Sequence, residues 1–382
     1  MSAAGPHIGL NLIFLVPSET GGMEVAAREL IPALLSQAPA GTRFTAFINR
    51  ETAAETSGPW GSLLPAVTVP VNARNRVQWV LGEQTELVRA ASRAGVDLMH
   101  SLASTAPAWG SFRRVVTIHD LIYARFPEAH AGLRGRGMRV LVPLAARRSD
   151  RVIADSDYGR EDLVRVLGLD RARIDVVPLG LGAVRRVTPP DEAQTRERFG
   201  LGLRRVVLSL SAKRPHKNLA ALIGALALIP QEHRPLLVLP GYPTWHEQEL
   251  RERAASAEVS EDVMFLGWLG EQDIEGLWAL ADAFVYPSLY EGFGLPVLEA
   301  MERGVPVACS NASCLPEIAG DAALLFDPND EQAIAEAIQL LLADHAEAQR
   351  LRAAGTRRAA LFTWERTARM TLESYDRALG RA

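Results

Sequence analysis

Ala283-Phe284-Val285-Tyr286-Pro287-Ser288-Leu289-Tyr290-Glu291-Gly292-Phe293-Gly294-Leu295-Pro296-Val297-Leu298-Glu299-Ala300-Met301 carries a strand, a glycine loop and a helix start in one run. The apolar strand ends at Tyr286, and a helix begins near Pro296, because proline suits a first turn where its missing N–H has no helical acceptor. Gly292 and Gly294 let backbone approach a ligand, and the helix start offers N–H groups at the positive end of its dipole. That is a seat for phosphate. Glu299, in the first helical turn, is placed to accept from both hydroxyls of a ribose, and Glu291 precedes the glycines where a sugar would lie. Two carboxylates so spaced, with N–H groups between, suit a nucleotide sugar. Read as structure alone, Glu291 is a loop residue and Glu299 a helix charge.

Outward from this unit, short apolar runs alternate with longer amphipathic stretches, which is the pattern of parallel sheets covered by helices. The fold class is α/β. Strands are expected at Ile8–Val16, Phe44–Ile48, Asp97–His100, Arg114–His119, Arg151–Ala154 and Asp175–Val177. They recur at Arg205–Ser211, Leu236–Pro240, Val263–Leu266, Ala283–Tyr286, Val305–Ala308 and Ala323–Phe326. Between the two series, Val187-Thr188-Pro189-Pro190-Asp191-Glu192 reads as a linker, since adjacent prolines continue neither element. This divides the chain into domains 1–186 and 187–363, followed by a helix from Trp364 to Leu379 that Thr363 can cap. Ligands gather at the carboxyl ends of such strands, and two facing sheets make a cleft.

The chain has 382 residues, 48% apolar and 23% charged, enough for about two ordinary domains. A net charge of −4 excludes a protein built mainly to neutralise nucleic-acid phosphates, so no nucleic-acid partner is expected. Cys309 and Cys314 are too few for a disulfide framework or a zinc site and read as reduced thiols. No apolar run is long enough to cross a bilayer and Ile8–Val16 lacks a positive flank, so a cytoplasmic location is expected. Lys213 and Lys217 are the only lysines among 41 basic residues, and both lie in Lys213-Arg214-Pro215-His216-Lys217. Where arginine is so favoured, a retained lysine marks a place where a compact ammonium matters, codon bias being the alternative.

Lys213, Arg214 and Lys217 follow the strand ending near Ser211, where their charges meet a ligand or form a solvated basic turn. A charge-assisted contact there contributes about 1.5 to 3 kcal/mol, and more as a leaving diphosphate gains charge. Gly21 and Gly22 make a turn before the first helix, without the Gly-x-Gly-x-x-Gly fingerprint that a dinucleotide-dependent oxidoreductase needs. His119 closes a strand where substrates collect. Asp155-Ser156-Asp157 either holds a divalent cation on a diphosphate or caps the following helix. Arg134, Arg136, Arg139, Arg147, Arg148 and Arg151 either contact an anionic membrane or phosphorylated acceptor, or form a solvated face.

With these residues in hand, nearly the whole chain resembles the retaining glycosyltransferases of family 4, the glycosyl transferases group 1. Their GT-B architecture has two facing Rossmann-like domains with parallel sheets. Glu291-Gly292-Phe293-Gly294-Leu295-Pro296 through Glu299 is similar to that family's Glu-x7-Glu signature. Gly21-Gly22-Met23-Glu24, Asp97-Leu98-Met99-His100, His119-Asp120, Val177-Pro178-Leu179-Gly180, Pro215-His216-Lys217-Asn218 and Leu315-Pro316-Glu317 add to the likeness.

The resemblance implies transfer of a hexosyl or deoxyhexosyl group from a nucleotide-diphosphate sugar, with retention and with no metal or other cofactor. It implies His119, Lys217 and Glu291 as catalytic residues. For donor binding it implies Gly22, Lys213, Arg214, Trp268, Leu269, Phe293, Gly294, Leu295 and Glu299. Glu291 is expected at the donor sugar, Glu299 at the ribose, Lys217 and the amides of residues 293–295 at the diphosphate, His119 at the reacting sugar, and Trp268 and Leu269 at the base. The final helix is expected to cross back to the N-terminal domain, which would bind the acceptor: a glycan, a lipid-linked saccharide or a small molecule. Many members carry Gly-Arg where this chain has Ser211-Ala212-Lys213-Arg214, which leaves Lys213 and Arg214 as alternatives for that arginine. The variant Lys-Arg-Pro-His-Lys-Asn resembles members that transfer mannose or a deoxyhexose. A noncatalytic nucleotide-sugar-binding partner subunit would share the glycine loop and the ribose carboxylate. A peripheral contact with the inner membrane face is the further expectation that the arginine group raises, and the oligomeric state is not legible.

Overall fold

The computed structural model describes residues 5–55, 58–127, 133–182 and 187–381, the side chains of residues 133–136 excepted. Arg134 and Arg136 therefore lie outside the described side chains. The chain folds as two compact units, Met1–Gly182 with Phe362–Ala382, and Ala183–Leu361.

The first unit holds β1 (His7–Leu12), β2 (Arg43–Ile48), β3 (Ala66–Thr68), β4 (Leu98–Ser101), β5 (Arg113–Ile118), β6 (Arg151–Ala154) and β7 (Ile174–Val176). They form a parallel sheet in the order β3-β2-β1-β4-β5-β6-β7. A parallel sheet covered on both faces needs apolar strands, and all of β1 is buried. The apolar run Ile8–Val16 outlasts its strand because burial, not pairing, keeps it apolar. Beyond Leu12 the Asn49 amide takes over as donor, giving hydrogen bonds to the carbonyls of Ile13 at 3.0 Å and Leu15 at 2.6 Å.

The helices Gly22–Gln37 and Trp364–Leu379 pack on each other in one core with Leu10, Leu12 and Ile31. Thr363 caps the second helix, its hydroxyl accepting from Arg366 N at 3.2 Å. Gly180 is required beside it: a Cβ there would lie 2.4 Å from Trp364 N. Thr367 Oγ1 donates to Pro178 O and Ser374 Oγ to Asp175 Oδ2, both at 2.7 Å.

The second unit contains β8 (Val206–Leu208), β9 (Leu236–Leu239), β10 (Val263–Phe265), β11 (Ala283–Tyr286), β12 (Val307–Ser310) and β13 (Ala323–Phe326). They pair in parallel in the order β10-β9-β8-β11-β12-β13. The helix Leu219–Leu228 buries Leu219, Leu222, Ile223 and Leu226 over this sheet, each contributing about 1.5 to 3 kcal/mol. Both sheets are doubly wound, as the alternating pattern predicts. Among the described residues no helix is long and apolar enough to cross a membrane.

Candidate active site

Strand order reverses between β1 and β4 in one sheet and between β8 and β11 in the other. In an open α/β sheet the crevice outside the carboxyl ends at such a point is where ligands bind. Lys217 follows β8 and Glu291 follows β11, so the topology of the second unit brings its two informative segments to one place.

After β8, Pro215–Lys217 forms one tight turn, closed by Asn218 in the left-handed region at φ 55. The His216 carbonyl accepts from Leu289 N at 2.8 Å and from Ser288 Oγ at 3.1 Å, tying this turn to the loop after β11. That tie aims Lys217 at Glu291. Lys217 Nζ donates to Glu291 Oε1 at 2.7 Å and to the Tyr286 hydroxyl at 2.9 Å, while that hydroxyl donates to the same Oε1 at 2.8 Å. Burial pushes the Glu291 carboxyl up, but the Lys217 ammonium and the Ser288 hydroxyl outweigh it and hold the carboxyl below its usual range. Burial, reinforced by the Glu291 charge, pushes the Tyr286 hydroxyl well above the usual phenol range, so it remains a donor.

The glycine loop is held from below. Ser313 Oγ accepts from Glu291 N at 3.1 Å, and the Cys314 thiol donates to the carbonyls of Glu291 and Phe293 at 3.3 and 3.1 Å. Phe293 is buried. Gly294, at φ 101, caps the helix Leu295–Glu302, and a Cβ there would meet Leu315 Cδ2 at 2.8 Å. The first amides of that helix have no acceptor within it. Because the helix starts at Leu295, Glu299 lies just beyond its first turn. Burial raises the Glu299 carboxyl and Arg303 opposes it; Arg303 is itself clamped by Glu275.

The other expected donor-site residues are placed differently from one another. The Lys213 side chain is wholly buried, with Nζ donating to the carbonyls of Gly241 at 2.9 Å and Leu266 at 2.8 Å. These carbonyls end β9 and β10, so the ammonium ties two strand ends together. Burial pushes its pKa down against the pull of Glu247. Arg214, the next residue, is half-buried. Trp268 is exposed, with its ring centroid 6.1 Å from that of Tyr242, and Leu269 is half-buried in the same loop after β10.

In the first unit, Gly22 opens the helix Gly22–Gln37, and a Cβ there would meet nothing within 4 Å. His119 follows β5 and is only 17% exposed, its Nδ1 2.7 Å from Asp155 Oδ2. Of the aspartates considered for a cation, Asp155 is therefore paired with His119 and Asp157 with Arg160, while Ser156 caps the helix Asp157–Leu167 through Gly159 N at 2.9 Å.

Two further groups stand outside the residues that the sequence motifs mark. Tyr286 was readable as the last residue of a strand that enters the site. Glu83 had no such signal, yet it lies buried at the β1/β4 reversal, where Oε1 accepts from Asn11 Nδ2 and Thr105 Oγ1, each at 3.0 Å. Burial raises its carboxyl to about 7 against these hydrogen bonds.

The family model described as glycosyl transferases group 1 matches residues 192–358, and that described as glycosyltransferase family 4 matches residues 20–183. The O-antigen chain mannosyltransferase B of Escherichia coli is 34% identical over 266 residues, covering 69% of this chain and 70% of that protein. The serotype-specific mannosyltransferase WbdA of Escherichia coli is 30% identical over 278 residues, 70% of this chain but 34% of WbdA, so the chain spans about a third of that relative. Sucrose-phosphate synthase from Thermosynechococcus elongatus has the same fold, with a TM-score of 0.79 over 99% of this chain and 100% of that one at 21% identity.

Proposed function

The chain belongs to the family 4, group 1 glycosyltransferases, which are retaining enzymes of the GT-B fold, and from this premise we propose that it transfers a mannosyl group from a nucleotide-diphosphate donor. The acceptor is a hydroxyl of a glycan, a lipid-linked saccharide or a small molecule. Mannose is supported by the two Escherichia coli relatives, both mannosyltransferases, and by the Lys213-Arg214-Pro215-His216-Lys217-Asn218 variant.

The observation that carries the mechanism is the Lys217–Glu291–Tyr286 contact at the carboxyl ends of β8 and β11. An ammonium has three donors. Two are spent on Tyr286 and Glu291, and the third goes to the donor diphosphate. As the bond from the anomeric carbon to the diphosphate oxygen breaks, its electron pair stays on that oxygen, where Lys217 and the amides of Phe293, Gly294 and Leu295 stabilise the charge. The acceptor oxygen bonds to the same face of the anomeric carbon, and its proton passes to the departing diphosphate. Glu291 orients the sugar and Glu299 holds the ribose hydroxyls. Arg214 supplies the second cationic contact with the diphosphate, since Lys213 is committed to backbone carbonyls. Trp268 and Leu269 border the base, the turn at Gly22 accommodates the donor, and His119 serves the reacting sugar. No step uses a metal.

A thermal-shift series with UDP, GDP, dTDP and ADP, followed by turnover of the corresponding mannose donor, tests this reading. One diphosphate should stabilise the protein by about 2.7 kcal/mol at a hundred times its dissociation constant, and its mannose ester should be consumed in chelator with the anomeric configuration retained. Binding without turnover on any acceptor would indicate a noncatalytic partner subunit. No stabilisation by any of the four would overturn the proposal.

A further inference from the structure

His119 and Asp155 are brought together by strand register. Ile118 of β5 lies opposite Ala154 of β6, so the next residue of each strand emerges at the same edge. His119 Nδ1 lies 2.7 Å from Asp155 Oδ2, and Nε2 lies 3.0 Å from the carbonyl oxygen of Leu102. A carbonyl only accepts, so Nε2 carries a hydrogen. The contact between Nδ1 and Oδ2 holds one more proton, and imidazole is ordinarily the stronger base by about 2.6 pKa units, which places it on nitrogen. Both ring nitrogens are donors, and the ring is a cation.

The surroundings enforce the pairing. Asp155 is 2% exposed, and its Oδ1 is buried without a hydrogen-bond partner among the described residues. A carboxylate so placed costs several kcal/mol unless a charge compensates it, and His119 is the cation that it touches. Burial alone would strip the ring of its proton. Asp155, the Leu102 carbonyl and the Asp120 charge reverse this and raise His119 to about 9. His100 on β4 brings no competing charge: it sits between the hydroxyls of Tyr375 at 2.7 Å and Thr117 at 2.8 Å, and burial lowers it to about 3. The covering helices present Met23, Ala26, Ala27 and Leu30 on one side and Trp364, Thr367 and Thr371 on the other, none of them ionisable.

We propose that Asp155 is a positioning residue that keeps His119 doubly protonated across neutral pH, so that His119 acts in sugar transfer as a fixed positive charge and never as a general base. This deepens the proposed function and rests on it for the role of His119 at the reacting sugar. It also gives Asp155 a use that does not involve a divalent cation.

The test combines nitrogen-15 NMR of the histidine rings in the full chain with the pH dependence of kcat, using wild type, Asp155→Asn and Asp155→Glu, with His119→Gln to assign the signal. The wild-type His119 ring should stay protonated on both nitrogens to above about pH 8. Asp155→Asn should lower its proton affinity about a hundredfold. kcat of Asp155→Asn should then fall between about pH 6 and 8, where the wild type is level, and Asp155→Glu should restore part of the plateau. A neutral wild-type ring at pH 7, or an unmoved midpoint in Asp155→Asn, would overturn the pairing. A moved midpoint with an unchanged kcat profile would overturn its part in transfer. A wild type that holds the imidazolium but transfers no sugar would sink the enzymatic reading while supporting the pairing.

Discussion

Lys217 and Glu291, 74 residues apart, meet at 2.7 Å because two loops after neighbouring strands are stitched together through the His216 carbonyl. The Tyr286 hydroxyl completes the contact as both acceptor and donor. Each partner restrains the others: Glu291 is kept ionised by the ammonium, and the ammonium is aimed by two oxygen acceptors.

Tyr286→Phe removes the bridging hydroxyl and leaves the ring, which stacks on Phe284 with centroids 5.7 Å apart. Hydrogen bonds to charged groups are each worth about 1.5 to 3 kcal/mol. We expect kcat/KM for the donor to fall about tenfold to a hundredfold and the fold to lose about 1.5 to 3 kcal/mol of stability, measured by steady-state kinetics and calorimetry. Unaltered kinetics would mean that the hydroxyl does not position the pair.

Gly294→Ala places a Cβ 2.8 Å from Leu315 Cδ2 in a backbone at φ 101. Strain at a positive φ of this kind costs about 1 to 3 kcal/mol whether or not Leu315 shifts, and relieving it moves the amides of residues 293–295. Chemical denaturation should report that loss of stability, together with weaker nucleoside-diphosphate binding by calorimetric titration. A variant as stable as wild type with the same affinity would show that this backbone does not need glycine.

Glu83 gives the fold a pH dependence of definite sign. Its carboxyl is raised from 4.5 to about 7 in the folded chain, so the folded state holds the proton more tightly than the unfolded one. The stability this contributes is fully present below about pH 4.5 and is lost as pH rises through about 7. Glu83→Gln keeps the side-chain oxygen that Asn11 and Thr105 donate to, but cannot ionise. It should shrink the stability difference between pH 5 and pH 8 by on the order of 3 kcal/mol, read from urea melts at both values. An identical pH dependence in the two proteins would place the ionised carboxylate in a more solvated setting.

How much of the fold is legible in the sequence follows from burial. Strands such as β1, β9 and β11 are apolar throughout because a parallel sheet hides both faces, and each therefore stands out in the chain. β3 did not stand out: it is a three-residue edge strand whose residues are exposed or half-exposed. The glycine loop was legible because Gly294 and Pro296 each have a backbone reason for their position. Lys213 and Lys217 are chemically alike and four residues apart, and only the tight turn at Pro215 decides that one is buried on carbonyls while the other meets Glu291. Asp155 becomes legible as the partner of His119 only once β5 and β6 are known to be neighbours.

The most direct test is donor turnover by wild type and Lys217→Ala under saturating substrates, with nucleotide affinity and melting temperature measured beside it. The ammonium that stabilises the departing diphosphate should be worth about a hundredfold or more in kcat, so the variant should fold normally and turn over at least that much more slowly. A folded Lys217→Ala protein with wild-type kcat would contradict the assignment of Lys217 to the departing diphosphate.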